Sequence, residues 1–306
     1  RGALNRFDVV GRISVPLIPD VLAIKLAAAS KNQDGYVIRP DGTDLGDINV
    51  DAGRFAIAWN PSEDWTVDLS FDASRIRQNG SPQRLSDTFS FPGGLYDLYN
   101  MIAAPLVAAR DGLPAGALFD DRWVSSDRRI SNGTGATRDK ADVWGTNLTI
   151  AWEASPALTV KSITGYREMD AKIQVDMDQS PFPIIHTDEV QNENQFSQEL
   201  QLSGATGDKR LNWLVGAYYF RERAHDLNQT LLASGLYDAL ELLPDALIPL
   251  VPGVPCPPPV AGLPCAGGAG NPFNALLDLD VRPRTALTTN NWAVFGQASY
   301  EIVPAL

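Results

Sequence analysis

The chain has 306 residues, enough for one large all-β domain or two ordinary ones. Its formal net charge of −12, with only 25 Lys and Arg, argues against nucleic-acid binding, which needs a cationic surface to neutralise phosphates. No apolar run is long enough for a transmembrane helix, so a β-barrel is the one way for this chain to cross a bilayer.

The first residues, Arg1–Arg6, lack the apolar core and small-residue cleavage site of a signal peptide. The last, Ile302–Leu306, read as the start of a turn, so the sequence is expected to be an internal piece of a longer protein. Between them the dominant signal is period two. Phe7, Val9, Ile13 and Val15 alternate with Asp8, Arg12 and Ser14. Leu22, Ile24 and Leu26 oppose Lys25 and Ala27, and Phe55, Ile57 and Trp59 oppose Arg54, Ala56 and Asn60. Trp65, Val67, Leu69 and Phe71 oppose Thr66, Asp68, Ser70 and Asp72. Such alternation is a strand with one apolar and one polar face. It continues through Val143–Glu153, Leu158–Arg167, Gln191–Ser203, Leu211–Arg221 and Asn291–Ile302, giving nine strands. Leu211–Phe220 is apolar on both faces and leaves its own register open.

The connections alternate in length. Short turns are expected at Leu17–Asp20, Asn60–Asp64, Glu153–Ala157 and Gly204–Lys209. Long loops are expected at Asn32–Asn49, Gln78–Asp139, Asp170–Asp188 and Ala224–Thr288. Tight turns at one end and long loops at the other are the plan of an antiparallel up-and-down transmembrane barrel, with nine strands only part of it. The turns also repeat: Trp152-Glu-Ala-Ser-Pro-Ala-Leu158 matches Tyr300-Glu-Ile-Val-Pro-Ala-Leu306, each with an aromatic at the strand end and a proline in the turn.

Aromatic placement carries the membrane reading. Trp144 and Trp152 share a face, as do Trp292 and Tyr300, each pair about 26 Å apart along an extended strand. That separation suits two interfacial girdles, with Trp59, Trp65 and Trp213 joining the one on the short-turn side. The opposite face carries Arg6, Asp8, Arg12, Lys25, Arg54, Asp68, Asp72, Lys161, Arg167 and Glu199. Mixed charge is costly in a dry core and expected in a wide wet lumen.

In the loops, Leu95, Leu98, Tyr99, Ile102 and Leu106 recur at helical spacing and predict a short helix. The prolines from Pro244 to Pro259 predict irregular chain, and Cys256 and Cys265 within it are a disulfide candidate in an exported protein. No catalytic constellation emerges, and the expectation is a non-enzyme with no cofactor and no metal centre. His186 and His225 each lie near a strand–loop junction and read as solvated side chains. Asp176 and Asp178 suit a cation or merely a polar strand end.

Four segments resemble the barrel of TonB-dependent receptors: Lys161-Ser-Ile-Thr-Gly-Tyr-Arg167, Gln195-Phe-Ser-Gln-Glu-Leu-Gln-Leu-Ser203, Trp213-Leu-Val-Gly-Ala-Tyr-Tyr-Phe220 and Ala293-Val-Phe-Gly-Gln-Ala-Ser-Tyr300. Asn5-Arg-Phe-Asp-Val-Val-Gly and Asp34-Gly-Tyr-Val-Ile are similar to its early strands. The resemblance implies a Gram-negative outer-membrane barrel of 22 strands around an N-terminal plug. It implies energised uptake of a scarce nutrient, such as a ferric siderophore-type chelate, with TonB contacted through a plug outside this chain. Tyr96, Tyr99, Arg122, Trp123, Arg128 and Arg129, in the longest early loop, are the candidate ligand contacts, since aromatic and Arg groups suit an anionic, ring-bearing chelate. The plainer reading is that these residues pack the loop. A passive porin or structural barrel is the alternative function.

Overall fold

A computed structural model of the chain describes residues 2–206, 210–244, 248–250, 256 and 265–302. Nine long strands dominate it: β1 (Phe7–Ile18), β2 (Leu22–Gln33), β3 (Ile48–Ser62), β4 (Trp65–Gln78), β5 (Arg138–Ser155), β6 (Leu158–Asp176), β7 (Ile185–Ala205), β8 (Leu211–Leu232) and β9 (Arg284–Tyr300). Each pairs antiparallel with its neighbour in sequence, so the sheet is a simple meander. β1 and β9 do not pair with each other, and the sheet is an open section of barrel wall. A short strand, Leu279–Val281, prolongs the line of β9 against Thr230–Leu232. Pro283 breaks the two apart, because it has no N–H for the ladder.

The turns at residues 19–21, 63–64 and 156–157 are tight, and the register slips beside each of them. The fourth connection, at 206–210, is closed by Thr206 N–H donating to Leu211 O at 2.9 Å, while residues 207–209 of that expected turn lie outside the described residues. So do residues 303–306 of the repeated turn motif and the prolines at 252, 255 and 257–259. At the other end lie the connections 34–47, 79–137, 177–184 and 233–283. The alternation of short and long therefore holds, but two loops are shorter than their sequence suggested. β6 runs on to Asp176 and β7 starts at Ile185, while β8 runs to Leu232 and β9 starts at Arg284. Beyond the apolar band both strand faces are polar, so the period-two signal fades before the ladder ends.

The register assigns every side chain to a face. Trp65, Trp152, Val160, Leu202 and Val215 lie opposite one another across five strands. Following the same parity, Trp59, Trp65, Trp144, Trp152, Trp213, Trp292 and Tyr300 all stand on one face. Arg12, Lys25, Arg54, Asp68, Asp72, Lys161, Arg167 and Glu199 all stand on the other. Within Leu211–Phe220, Trp213, Val215, Ala217 and Tyr219 join the aromatic face and Leu214, Tyr218 and Phe220 the charged one.

Among the described residues the buried apolar core is not in the sheet. It lies in the loops, built from Tyr99, Val107, Phe119, Phe182, Ile184, Leu236, Leu240 and their neighbours. Two helices of the second long loop, α1 (Leu95–Ile102) and α2 (Ala104–Arg110), pack there with α3 (Leu236–Glu241) of the fourth. The predicted helix thus divides at Ala103, and Pro105 at the start of α2 resets its phase. Val107 becomes the buried residue of that turn, and Leu106, expected inside, is exposed.

Candidate functional site

The outward face is an apolar band edged by aromatics. On β5 it runs from Trp144 through Leu148 and Ile150 to Trp152, and both tryptophans are exposed. Trp152 stacks on Trp65 with centroids 5.4 Å apart, and Trp144 meets Phe71 at 6.0 Å and Tyr166 at 5.2 Å. Past Trp144 the same face turns charged, with Asp142 accepting from Arg77 at 2.8 and 2.5 Å. The polar groups inside the band satisfy each other: Thr164 Oγ1–H donates to Gln198 Oε1 at 2.6 Å, and Gln198 Nε2–H to Ser162 Oγ at 2.9 Å. A soluble sandwich would bury this face; here lipid is the medium that suits it.

The inward face is hydrogen-bonded and charged. Arg167 pairs with Asp72 at 3.1 Å across β5. Along β7, Glu189, Gln191, Glu193, Gln195, Glu199 and Gln201 form one polar column, each amide donating to the carboxylate two residues before it.

The loop layer covers one end of this wall. A concavity of about 630 Å³ opens between the first two long loops, lined by Leu4, Tyr36, Ile38, Pro40, Ile130 and Asn132, with Asp127 and Arg129 at its polar edge. The loops are stitched together along it: Ile38 N–H donates to Arg129 O at 2.7 Å and Ser131 N–H to Ile38 O at 3.0 Å. Tyr36, Ile38 and Ile130 are each more than two-fifths exposed, an unusual apolar cluster for a loop surface.

Behind that wall sits a buried ionic knot. Arg39 reaches inward, its Nε–H donating to Gly133 O at 2.6 Å, Nη1–H to Thr137 Oγ1 at 3.0 Å and Nη2–H to Asp176 Oδ2 at 3.1 Å. Arg39, Asp176 and Asp178 are all buried. Asp176 also accepts from Gly135 N–H at 2.9 Å and Gln179 N–H at 3.1 Å. Asp178 accepts from Ser180 N–H and Oγ–H at 3.0 and 2.6 Å, and from Ile184 and Ile185 N–H at 3.1 and 2.8 Å. Asp176, Asp178 and His186 bring donor atoms within 4.8 Å of one another. All four carboxylate oxygens already hold protein donors, however, so the knot anchors loops and does not build a metal site. Gly133 and Gly135 permit this close approach. A Cβ on Gly133 would lie 2.6 Å from Asp176 Oδ2, and one on Gly135 would strike the His186 ring.

This corrects the sequence reading of His186, which is not a solvated side chain but a mostly buried one with Nε2 enclosed. His225 is exposed. Residue 39 lies far in sequence from 133–137 and 176–186, so no local signal announces the knot.

The six candidate ligand contacts divide. Tyr99 is fully buried against Phe182, its hydroxyl donating to Ser234 O at 3.3 Å, and in this conformation it touches no ligand. Burial, reinforced by the charge of Asp178, holds its phenol above the ordinary range. Tyr96 packs on Phe119 at 4.8 Å, and Trp123 on Phe182 at 6.2 Å with its Nε1–H on Leu118 O. Arg122 is held by Asp120 at 2.8 Å. Arg128 and Arg129 are exposed, and Arg129 at the concavity pairs loosely with Asp127 at 3.2 Å. Cys256 and Cys265 are joined by a disulfide, Cα–Cα 6.0 Å.

A sequential antiparallel wall with an aromatic-edged outer face, a charged inner face and a folded loop layer at one end is now in place. This is the barrel fold of the TonB-dependent receptors. No protein-family model matches the chain. Among solved structures, the ferric citrate transporter FecA in its unliganded form is similar at a TM-score of 0.53 and 10% identity, over 98% of this chain and 33% of that one. The ferric yersiniabactin uptake receptor FyuA from Yersinia pestis gives 0.50 and 12%, over 99% and 43%. BauA, the ferric preacinetobactin receptor from Acinetobacter baumannii, gives 0.50 and 11%, over 97% and 37%. The chain spans less than half the length of each of these.

Proposed function

We propose that this chain is part of the wall and loop layer of a receptor in the Gram-negative outer membrane. It takes up a scarce, bulky nutrient, most concretely a ferric siderophore-type chelate, and residues 1–306 belong to one barrel domain. A plug and further strands, in sequence outside these residues, would complete the barrel and carry the contact to TonB. The observation that carries the reading is the two-faced wall: one face suited to lipid, the other to water, with the buried core confined to the loops above. The likeness in fold to proteins named as ferric-chelate receptors supports the same choice.

No covalent step is required. The concavity between the loops offers apolar and aromatic surface at Tyr36, Ile38 and Ile130, beside the cation Arg129, which suits a ligand with rings and negative charge. Arg128 is exposed on the same loop. Tyr96 and Trp123 would support the loop from behind, with Arg122 fixing its turn. The test is uptake of radio-iron chelates by cells with and without TonB, alongside binding to the purified full-length protein. Energy-dependent uptake, weakened by Tyr36→Ala and Ile130→Ser, is expected. Uptake unchanged without TonB would make the protein a passive porin.

A further inference from the structure

Arg39, Asp176, Asp178 and His186 tie the loops to the end of the wall, and Arg39 also lines the concavity. With a neutral imidazole, the single guanidinium faces two buried carboxylates, and the knot keeps an uncompensated negative charge. The Nε2 of His186 is buried without a hydrogen-bond partner, 3.6 Å from Asp176 Oδ1 and 3.7 Å from Asp178 Oδ2. With both ring nitrogens protonated, the imidazolium would neutralise the knot and its Nε2–H would find an acceptor on either side. The neutral ring leaves the net negative charge in place in either tautomer, and with its proton on Nδ1 it aims a lone pair between two anions, an arrangement costly in a low-dielectric site.

On the strand face of His186, Asp188 lies two residues away and is paired with Lys172 at 3.2 Å, and the phenols of Tyr96 and Tyr99 lie near Asp178. The charges acting on His186 are Asp176, Asp178 and Arg39. β6 supplies Asp176, the 177–184 loop Asp178 and the 34–47 loop Arg39. The 79–137 loop faces His186 with Gly135, and β8 sets Leu231 opposite it in register. Arg39 lies between Ile38 and Pro40, so its anchorage fixes the concavity's wall.

We propose that His186 is a proton-operated latch. Protonated, it holds Asp176 and Asp178 together and clamps the 34–47 and 79–137 loops onto the end of the wall. Deprotonated, it leaves the knot charged and lets the wall of the concavity move. The latch belongs to the fold and does not depend on what the protein carries.

The electrostatics agree in direction. Burial opposes the charged imidazole, but Asp176 and Asp178 outweigh it and raise His186 above 6.5. Burial and the like charge of Asp176 push Asp178 up to about 6. Both groups bind protons more tightly folded than unfolded. The His186 contribution is complete below 6.5 and is lost as pH rises through its higher folded value. Ionising Asp178 adds its cost between 3.8 and about 6. Each effect loosens the loops as pH rises.

The test uses full-length protein in detergent with ring-labelled histidine, the His186 signal being assigned by its loss in His186→Gln. The His186 signal should titrate above 6.5. Hydrogen-exchange protection of residues 34–47 and 130–137, corrected for intrinsic pH dependence, should fall by up to about tenfold per pH unit above 6.5. The His186→Gln variant should abolish that slope. Asp178→Asn, with His186 retained, should move the loosening to lower pH, because one counter-charge is gone. A His186 that titrates at or below 6.5, a slope that survives His186→Gln, or a midpoint unmoved by Asp178→Asn would each overturn the latch.

Discussion

Replacing Arg39 by Met tests how the loop layer is held. The guanidinium is buried, its partner Asp176 is buried, and the two meet at 3.1 Å. Methionine keeps the stem but removes the charge and three donors, leaving Asp176 with Gly135 and Gln179 N–H and, at 3.6 Å, the His186 ring. The assay is therefore run above pH 6.5, toward the neutral ring. Breaking a buried pair from one side costs about 3–5 kcal/mol, because the remaining charge cannot return to water. Local opening of residues 34–47 and 130–137 should then become roughly 10²- to 10⁴-fold more frequent, read as faster amide exchange and as proteolytic nicking of the loop. The wall should stay folded, since its ladder runs through β1 to β9 without Arg39. The double variant Arg39→Met, Asp176→Asn should recover most of the loss, because Asp176 is no longer left charged without its guanidinium and the knot returns to its original net charge, with Asp178 still held by its own donors. Arg129→Met, which removes only an exposed pair with Asp127, should leave exchange unchanged. If Arg39→Met and Arg129→Met behave alike, the knot does not hold the loops.

Leu148→Arg, midway between Trp144 and Trp152 on the outward face, should cost about 2–4 kcal/mol of folding into liposomes, while Trp152→Arg at the edge should cost only about 0–1 kcal/mol. Equal costs at the two positions would deny that face a lipid interior. Cys256 and Cys265, nine residues apart, close a short loop, and mutating both to Ser should destabilise it by about 2–3 kcal/mol. Non-reducing mass spectrometry should show the linked peptide, and freely alkylated thiols would refute the bond. Gly133→Val should mimic Arg39→Met in the exchange assay, because its side chain would displace Asp176 from the guanidinium.

The wall was legible because its physics is local. A strand between lipid and water must alternate, so Trp144–Trp152 and Trp65–Phe71 declare their faces within a few residues. The far ends of β6 to β8 were not legible, because both faces there meet water and Lys172, Gln174, Thr187 and Asp188 carry no alternation. In α1 and α2 the apolar spacing announced a helix, yet Pro105 shifted which residues point inward. The candidate ligand set was chosen by residue type, and type does not distinguish a buried Tyr99 from an exposed Arg128. The knot was hidden because its members meet only after the loops fold. In the sequence Asp176 and Asp178 suit a cation or a polar strand end alike, and nothing near them announces that Arg39 reaches Asp176 from 137 residues away.

The most direct test is single-cysteine spin labelling of β5 in the full-length protein reconstituted into liposomes. Labels at Thr146, Leu148 and Ile150 should collide preferentially with oxygen dissolved in lipid, while labels at Gly145, Asn147 and Thr149 should not. That alternation, repeated at period two, is what a wall between lipid and lumen predicts. Labels at 146, 148 and 150 shielded from lipid, or no alternation at all, would contradict it.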